Sequence, residues 1–130
     1  MADTEKITIN LSAVDLGRMD LLSEEGFYSN RTDFIRTAIR KELEVHRDIV
    51  EKSAARRASV IGLLAYSRRS LEKCLENGER LEINVVGGVY LSSDIPSDLA
   101  LNTIQSLKVH GVLRASQAVK DALADRIQQL

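Results

Sequence analysis

The chain has 130 residues and a formal net charge of −1, a length that suits one ordinary domain or two small ones. A charge so close to zero gives no whole-chain attraction to nucleic acid or to a membrane surface. The single cysteine, Cys74, excludes an internal disulfide and a multi-cysteine metal site. The polar N-terminus lacks the apolar core of a signal peptide, and no apolar run approaches the ~20 residues of a membrane span. We therefore expect a cytoplasmic protein with no membrane partner.

Residues 6–43 change their hydrophobic period from two to 3.6. Residues 6–11 alternate polar and apolar side chains, which is typical of a strand with one buried face. Ser12 suits the N-cap of a first helix at about 13–25, which Gly26 ends. Asn30 suits the N-cap of a second helix, and Asp33 can reach back to it as in a capping box. This part of the sequence predicts strand, helix, helix.

The rest of the chain is predicted to be mostly helical, with one small hairpin. Helical spacing continues beyond the second helix start, which predicts helices at about 31–54 and 57–76. Strand-like residues 81–86 and 89–91 flank Gly87-Gly88, a pair that favours a β-hairpin. Pro96 suits the first turn of a helix at about 97–107, and Ser116 caps a last helix that runs through Ile127. No internal repeat is evident.

The alternating strand needs a partner, because on its own it would leave both edges unpaired. Pairing it antiparallel with the same strand of a second chain gives a two-stranded ribbon, which fits the major groove of B-DNA. One face of the ribbon would carry Lys6, Thr8 and Asn10. Lysine donates to guanine, asparagine can pair bidentately with adenine, and threonine can donate, accept or touch a thymine methyl. The other face would turn Ile7, Ile9 and Leu11 into a shared core.

Residues 6–12, the helix that follows and residues 26–36 resemble the ribbon-helix-helix regulators of the Arc, MetJ and CopG type. The resemblance lies in the alternating strand, the Gly-, Ser- and Asn-containing turn and the second helix beginning at Arg31, and it covers the N-terminal third. It implies an obligate, intertwined homodimer whose paired strands enter the major groove. It also implies base reading by Lys6, Thr8 and Asn10, and a phosphate clamp at Ser29, Asn30 and Arg31.

The predicted fold class is α+β and mostly helical. Residues 1–46 would form the ribbon-helix-helix domain for DNA binding and dimerisation, and residues 47–130 a C-terminal assembly or regulatory domain that ends in a small β-β-α-α region. The predicted dimer core consists of the apolar residues at strand and helix spacing: Ile7, Ile9, Leu11, Leu16, Met19, Leu22, Phe34, Ile35, Ala38, Ile39 and Leu43.

Other kinds of site find little support in the sequence. His46, His110 and Cys74 lie on different predicted elements, whereas a metal sensor needs several such ligands at tight spacing. Gly87-Gly88 has no phosphate-loop pattern around it, and two scattered histidines offer no catalytic triad. We therefore expect no metal, no cofactor and no enzymatic activity.

These observations predict a sequence-specific transcriptional regulator at the nucleoid, most simply a repressor that occupies its operator. Its partners would be double-stranded DNA and itself, as a dimer or a tetramer, with a protein or small-molecule effector acting through residues 47–130. One alternative is the antitoxin of a toxin–antitoxin pair, whose C-terminal half would be disordered when alone. The other is an oligomerisation module that binds no DNA, which the excess of acidic over basic residues in 1–50 would suit.

Overall fold

The computed structural model describes residues 4–130. Within them the chain forms six helices and one four-stranded sheet, so the α+β class is as predicted. The chain divides into two compact units, Met1–Asp48 and Ile49–Leu130. Each unit is described below by itself.

The first unit contains the helices α1 (Ala13–Glu24) and α2 (Arg31–Val45). Ser12 caps α1, since its side chain accepts from the backbone N–H of Asp15 at 3.1 Å. Gly26 adopts φ +88° where the chain leaves α1, a conformation that suits glycine. The predicted starts of both helices, and the end of the first, are confirmed.

Residues 4–12 form no strand in the single chain. A strand is defined by its ladder of hydrogen bonds, and the predicted partner of residues 6–11 is another chain. The side chains of this segment are exposed. The strand and the ribbon therefore stay a prediction about the dimer.

The second predicted helix is two helices in the structure. At His46 the backbone leaves the helical region, with φ −99° and ψ 14°, and α3 follows at Arg47–Arg56. Ala58 then adopts φ +52°, and the N–H of Ser59 bonds back to the carbonyl of Ala54 at 2.9 Å, which ends α3. The apolar residues keep their helical spacing on both sides of His46, so the sequence pattern does not reveal the break between α2 and α3.

The predicted helix at 57–76 is wrong in its first half. Val60–Tyr66 is a strand, β1, and the helix α4 covers only Arg68–Glu76. A parallel strand reads as a continuous apolar run, which periodicity cannot distinguish from a buried helical segment. Ser67 separates the two elements and caps α4 by accepting from the N–H of Ser70 at 3.1 Å.

The predicted hairpin at 81–91 is also wrong. Leu81–Leu91 is one continuous strand, β2, that runs straight through Gly87 and Gly88. The helix after Pro96 is short, α5 at Ser97–Thr103, and the residues expected to complete it begin β3 at Ile104–Arg114. The last helix, α6, covers Gln117–Ala122, and β4 follows at Ile127–Gln129. The predicted C-terminal β-β-α-α order is therefore wrong, because strands and helices alternate in this part of the chain.

The sheet has the order β1-β2-β3-β4, and every neighbouring pair is parallel. Each strand therefore pairs with the strand that precedes or follows it in the chain, as in a solenoid. The expectation of no internal repeat is wrong. The pattern Val-x-Gly occurs in register three times, at 60–62, 85–87 and 109–111, but it is too short to stand out in the sequence.

The aligned glycines form a ladder across three strands. Gly87 and Gly111 have φ values of +140° and +130°. A Cβ at Gly87 would collide with the carbonyl of Gly62, and a Cβ at Gly111 would collide with the carbonyl of Gly87. The backbones of adjacent strands approach each other so closely here that only glycine fits. This close stacking, and not a turn, explains Gly87.

The core of the second unit lies between the sheet and the helices α4, α5 and α6. It consists of buried residues from β2, β3 and these helices together with Ile95 and Leu123, the residue that follows α6: Leu71, Ile83, Val85, Val89, Leu91, Ile95, Leu99, Ala100, Ile104, Leu107, Val109, Leu113, Val119 and Leu123. Arg126 fastens the last turn to this layer, because its Nη1 donates to the carbonyls of Leu101 and Ile104 at 2.7 and 2.8 Å.

Candidate nucleic-acid interface

The predicted base-reading residues Lys6, Thr8 and Asn10 all lie in the exposed segment that precedes α1. The apolar residues that alternate with them are exposed as well: Ile7 is 72% exposed and Ile9 is 53% exposed. Large apolar side chains in such a position indicate a surface that another molecule covers. The single chain provides no covering layer for them within the described residues of the first unit.

An apolar groove of about 450 Å³ lies beside this segment. Asp15 and Arg18 contribute to its wall, and the other lining residues all belong to the predicted dimer core: Ile9, Leu11, Met19, Leu22, Phe34, Ile35, Ala38 and Ile39. Among the described residues of Met1–Asp48, only Met19 is buried. The first unit thus gathers most of the predicted core residues around one opening but does not enclose them.

At the N-terminus of α2, a pair of hydrogen bonds joins Ser29 and Asn30 to Asp33. The side chain of Asn30 accepts from the N–H of Asp33 at 2.8 Å, and the Asp33 carboxylate accepts from the N–H of Ser29 at 2.9 Å. The capping box predicted from the sequence is thus nearly correct. The difference is that the Asp33 carboxylate accepts from the N–H of Ser29 and not from the N–H of Asn30. The first N–H groups of a helix have no partner in the helix itself, so this end suits an anion.

Arg31 lies against α1. Its Nε donates to Oδ1 of Asp20 and its Nη2 donates to Oδ2, both at 2.8 Å, and both side chains are about half exposed. The hydrogen bond from Arg31 is the main reason that the pKa of Asp20 lies below its ordinary value. The same contact raises the pKa of Arg31. The cation of the predicted clamp is therefore held by an acid of the neighbouring helix.

Sequence reasoning missed the role of Asp20. It lies eleven positions before Arg31, a separation that matches neither the i,i+3 nor the i,i+4 spacing of helical pairs. Only the packing of α1 against α2 brings the two side chains together. No local pattern in the sequence marks the contact.

A second concave site lies in the second unit. A cavity of about 230 Å³ is lined mainly by polar and basic residues, namely Arg57, Ser59, Asn84, Lys108, His110 and Gln128, together with Leu130. Asn84 and Lys108 are register partners on β2 and β3. The Oδ1 atom of Asn84 is buried and has no hydrogen-bond partner among the described residues. Sequence analysis did not identify this site, because its residues come from separate strands.

The described chain offers little for metal binding. Across residues 4–130 no group of three or more His, Cys, Asp or Glu side chains could hold a metal ion. Nε2 of His46 lies 3.1 Å from Oε1 of Glu42, a residue of α2. His110 lies on β3 and Cys74 on α4, so the three candidate ligands belong to different elements. None of the helices in this range is long and apolar enough to cross a membrane.

A family model described as the ribbon-helix-helix transcriptional regulator family matches residues 2–120. The match is thus not confined to the N-terminal third, as the sequence had suggested, but continues through β3 and into α6. No curated protein and no solved structure matches the chain.

Proposed function

Since the chain belongs to the ribbon-helix-helix transcriptional regulator family, we propose that it binds a specific operator as a homodimer and represses transcription there. The open apolar groove of the first unit carries this proposal. It is lined mainly by residues expected to form a dimer core, and the segment 6–12, which forms no strand in the single chain, contributes Ile9 and Leu11 to its rim. A second copy of the chain would supply both the missing strand partner and the missing cover.

Dimerisation would give the two faces of the alternating segment different roles. Ile7, Ile9 and Leu11 would enter the shared core, and burying each fully would contribute about 1.5–3 kcal/mol. Lys6, Thr8 and Asn10 would remain on the outer face of the ribbon, where they can contact base edges in the major groove. The pairing that stabilises the dimer therefore also forms the DNA-reading surface.

The N-terminus of α2 would fix the ribbon on the DNA backbone. Arg31 supplies a cation, and the helix dipole supplies a positive end next to Ser29 and Asn30. Contacts of this type position a protein but carry no sequence information directly. Acidic residues of α1 reduce the net charge of residues 1–50, and one of them, Asp20, is already neutralised by Arg31.

Binding to an operator is enough for repression if it excludes the transcription machinery. The protein would then act at the nucleoid in the cytoplasm. The second unit, together with the first two residues of α3, would serve assembly or regulation, as predicted for residues 47–130. The polar cavity around Asn84 would receive a small anionic effector, since Arg57 and Lys108 supply positive charge there.

The antitoxin alternative makes a different demand on the second half. It requires residues 81–91 to be disordered until a toxin binds. In the structure these residues are β2, an inner strand of the sheet that carries the buried side chains of Ile83, Val85 and Val89. A folded second unit therefore supports the repressor over the antitoxin.

Selection of bound DNA from a random pool tests the proposal. A two-fold protein should enrich an inverted repeat, because each strand of the ribbon reads one half-site. Gel shifts of the selected DNA at two salt concentrations would add the signature of phosphate contacts, a steep loss of affinity with salt. Equal binding of selected and random DNA would refute sequence-specific regulation. No binding to either would favour the oligomerisation module.

A further inference from the structure

The first strand of the sheet leaves one of its edges open. β1 pairs with β2 over all seven residues, from Val60↔Val85 to Tyr66↔Leu91, and in residues 4–130 no strand lies on its other side. Val60 and Ile61 are each 52% exposed, and Leu63 is 57% exposed. An exposed apolar edge of this length offers its free backbone groups to a further strand.

β1 lacks the features that proteins use to block such an edge. It is seven residues long and contains no charged residue and no proline. The opposite edge of the sheet differs. β4 has only three residues, two of them glutamines, and the Gln129 side chain donates to the carbonyl of Gly111 at 3.1 Å. The sheet is blunted at β4 and open at β1.

We propose that β1 pairs antiparallel with β1 of a second copy of this chain, so that two four-stranded sheets join into one. Because both partners use the same edge, the interface has two-fold symmetry and closes after two copies. It is independent of DNA binding and would exist even if the first unit had another function.

A head-to-tail arrangement fits the sheet less well. The register places Val60 level with Val85, Val109 and Gln129 across the four strands. A further copy stacked in the same register would therefore place the end of its β4 beside the start of β1. Most of β1 would still be unpaired. Antiparallel self-pairing covers the whole strand.

Two-fold symmetry also fixes the register. Strands related by an axis perpendicular to the sheet pair all seven residues only when Leu63 lies opposite Leu63 of the second copy. Ile61 then meets Ala65, and Gly62 meets Leu64, so apolar residues lie opposite each other with no buried charge. A Cβ at Gly62 would find nothing within 4 Å, so the space beside this residue is open to an approaching backbone.

Site-specific crosslinking of the full-length protein tests this register. In a Cys74→Ser background, Leu63→Cys should be joined to its counterpart by a short bis-maleimide, because directly opposed residues of an antiparallel pair lie about 4.5–5.5 Å apart at Cα. Leu75→Cys is the matched control, since Leu75 is an exposed leucine on α4 at 47% exposure. The proposal is overturned if Leu63→Cys crosslinks no better than the control.

A charged substitution provides a second, independent measurement. Leu63→Lys should raise the protein concentration at which the copies joined through β1 separate by at least about tenfold in sedimentation experiments, because it places two ammonium groups opposite each other. Circular dichroism should be unchanged, since Leu63 is exposed in the single chain. Dissociation at the wild-type concentration would contradict β1 pairing. DNA selection by the wild-type protein reports separately on the proposed function, so the two can fail independently.

Discussion

Arg31 and Asp20 join the two helices of the first unit by a bidentate contact, with both N–O distances at 2.8 Å. Planar guanidinium and carboxylate groups match each other well, which makes such pairs directional. The contact orients the cation that we propose for the phosphate clamp, and in such a clamp it would compete with phosphate for the same donors. The strength of the clamp should therefore depend on Asp20 as much as on Arg31.

Asp20→Asn should strengthen DNA binding without changing sequence preference. The amide is a weaker partner for Arg31 than the carboxylate, so the guanidinium becomes available to phosphate. Arg31→Ala should instead weaken binding to all sequences and reduce the magnitude of the salt slope by about 1. Affinities measured on the selected operator and on random DNA at several salt concentrations check both effects. Weaker binding by Asp20→Asn would show that the ion pair positions α2 and does not restrain the clamp.

Asn10→Ala should affect specificity more than general affinity. Loss of a bidentate contact to a base edge costs about 1–3 kcal/mol on the preferred sequence. Random DNA should bind almost as before, since it makes no such contact. Competition binding with single-base operator variants would locate the position that Asn10 reads. An equal loss on operator and random DNA would assign Asn10 to the backbone contacts or to dimer stability.

The Asp20–Arg31 pair also predicts a pH dependence. The folded-state pKa of Asp20 is below its ordinary value because Arg31 hydrogen-bonds the charged form. The pair therefore contributes stability above the ordinary pKa of aspartate, and this contribution disappears as the pH falls through the folded-state pKa. NMR titration of the Asp20 carboxyl should show an upward shift of the pKa in Arg31→Ala. An unchanged pKa would mean that the contact does not persist in solution.

Gly87→Ala should destabilise the second unit strongly. A non-glycine residue at φ +140° carries strain of order 1–3 kcal/mol, and its Cβ would also collide with the Gly62 carbonyl. Gly62 has a similar φ, +148°, but a Cβ there would find nothing within 4 Å. Gly62→Ala should therefore reduce the free energy of unfolding by less, and its loss measures the backbone strain alone. Gly17→Ala, in α1 with free space around it, should stabilise by about 0.5–1 kcal/mol. Urea unfolding of the three variants checks this order, and equal losses at Gly87 and Gly62 would argue against close stacking.

Hydrogen exchange of the isolated protein should find the amides of β2 well protected. β2 lies between β1 and β3, so its backbone groups are bonded on both sides, and such inner strands open only with the whole unit. Residues 4–12 should exchange quickly in a monomer and more slowly once a ribbon forms. Unprotected amides at 81–91 would revive the antitoxin alternative, because that hypothesis requires disorder there.

Local sequence was sufficient for the starts of α1 and α2. Ser12 and Asn30 form their caps with residues only three positions away, so neighbouring residues contain the whole signal. The alternation at 6–11 predicts which side chains could face a partner, and this stays a prediction. The family itself was recognisable from these features, although the match extends far beyond them.

The second unit could not be derived in this way. Residues 60–66 and 81–91 are strands because parallel neighbours complete their hydrogen bonds, and those neighbours lie about one repeat away in the chain. Gly87 suited a hairpin turn by its local conformational freedom, but the backbone of Gly62 beside it decides its role. The sequence alone determined the helix caps, the alternation and the family, since each depends on residues close together in the chain. Only the tertiary structure decided the parallel sheet, the glycine ladder and the Asp20–Arg31 pair, because each joins residues that only folding brings into contact.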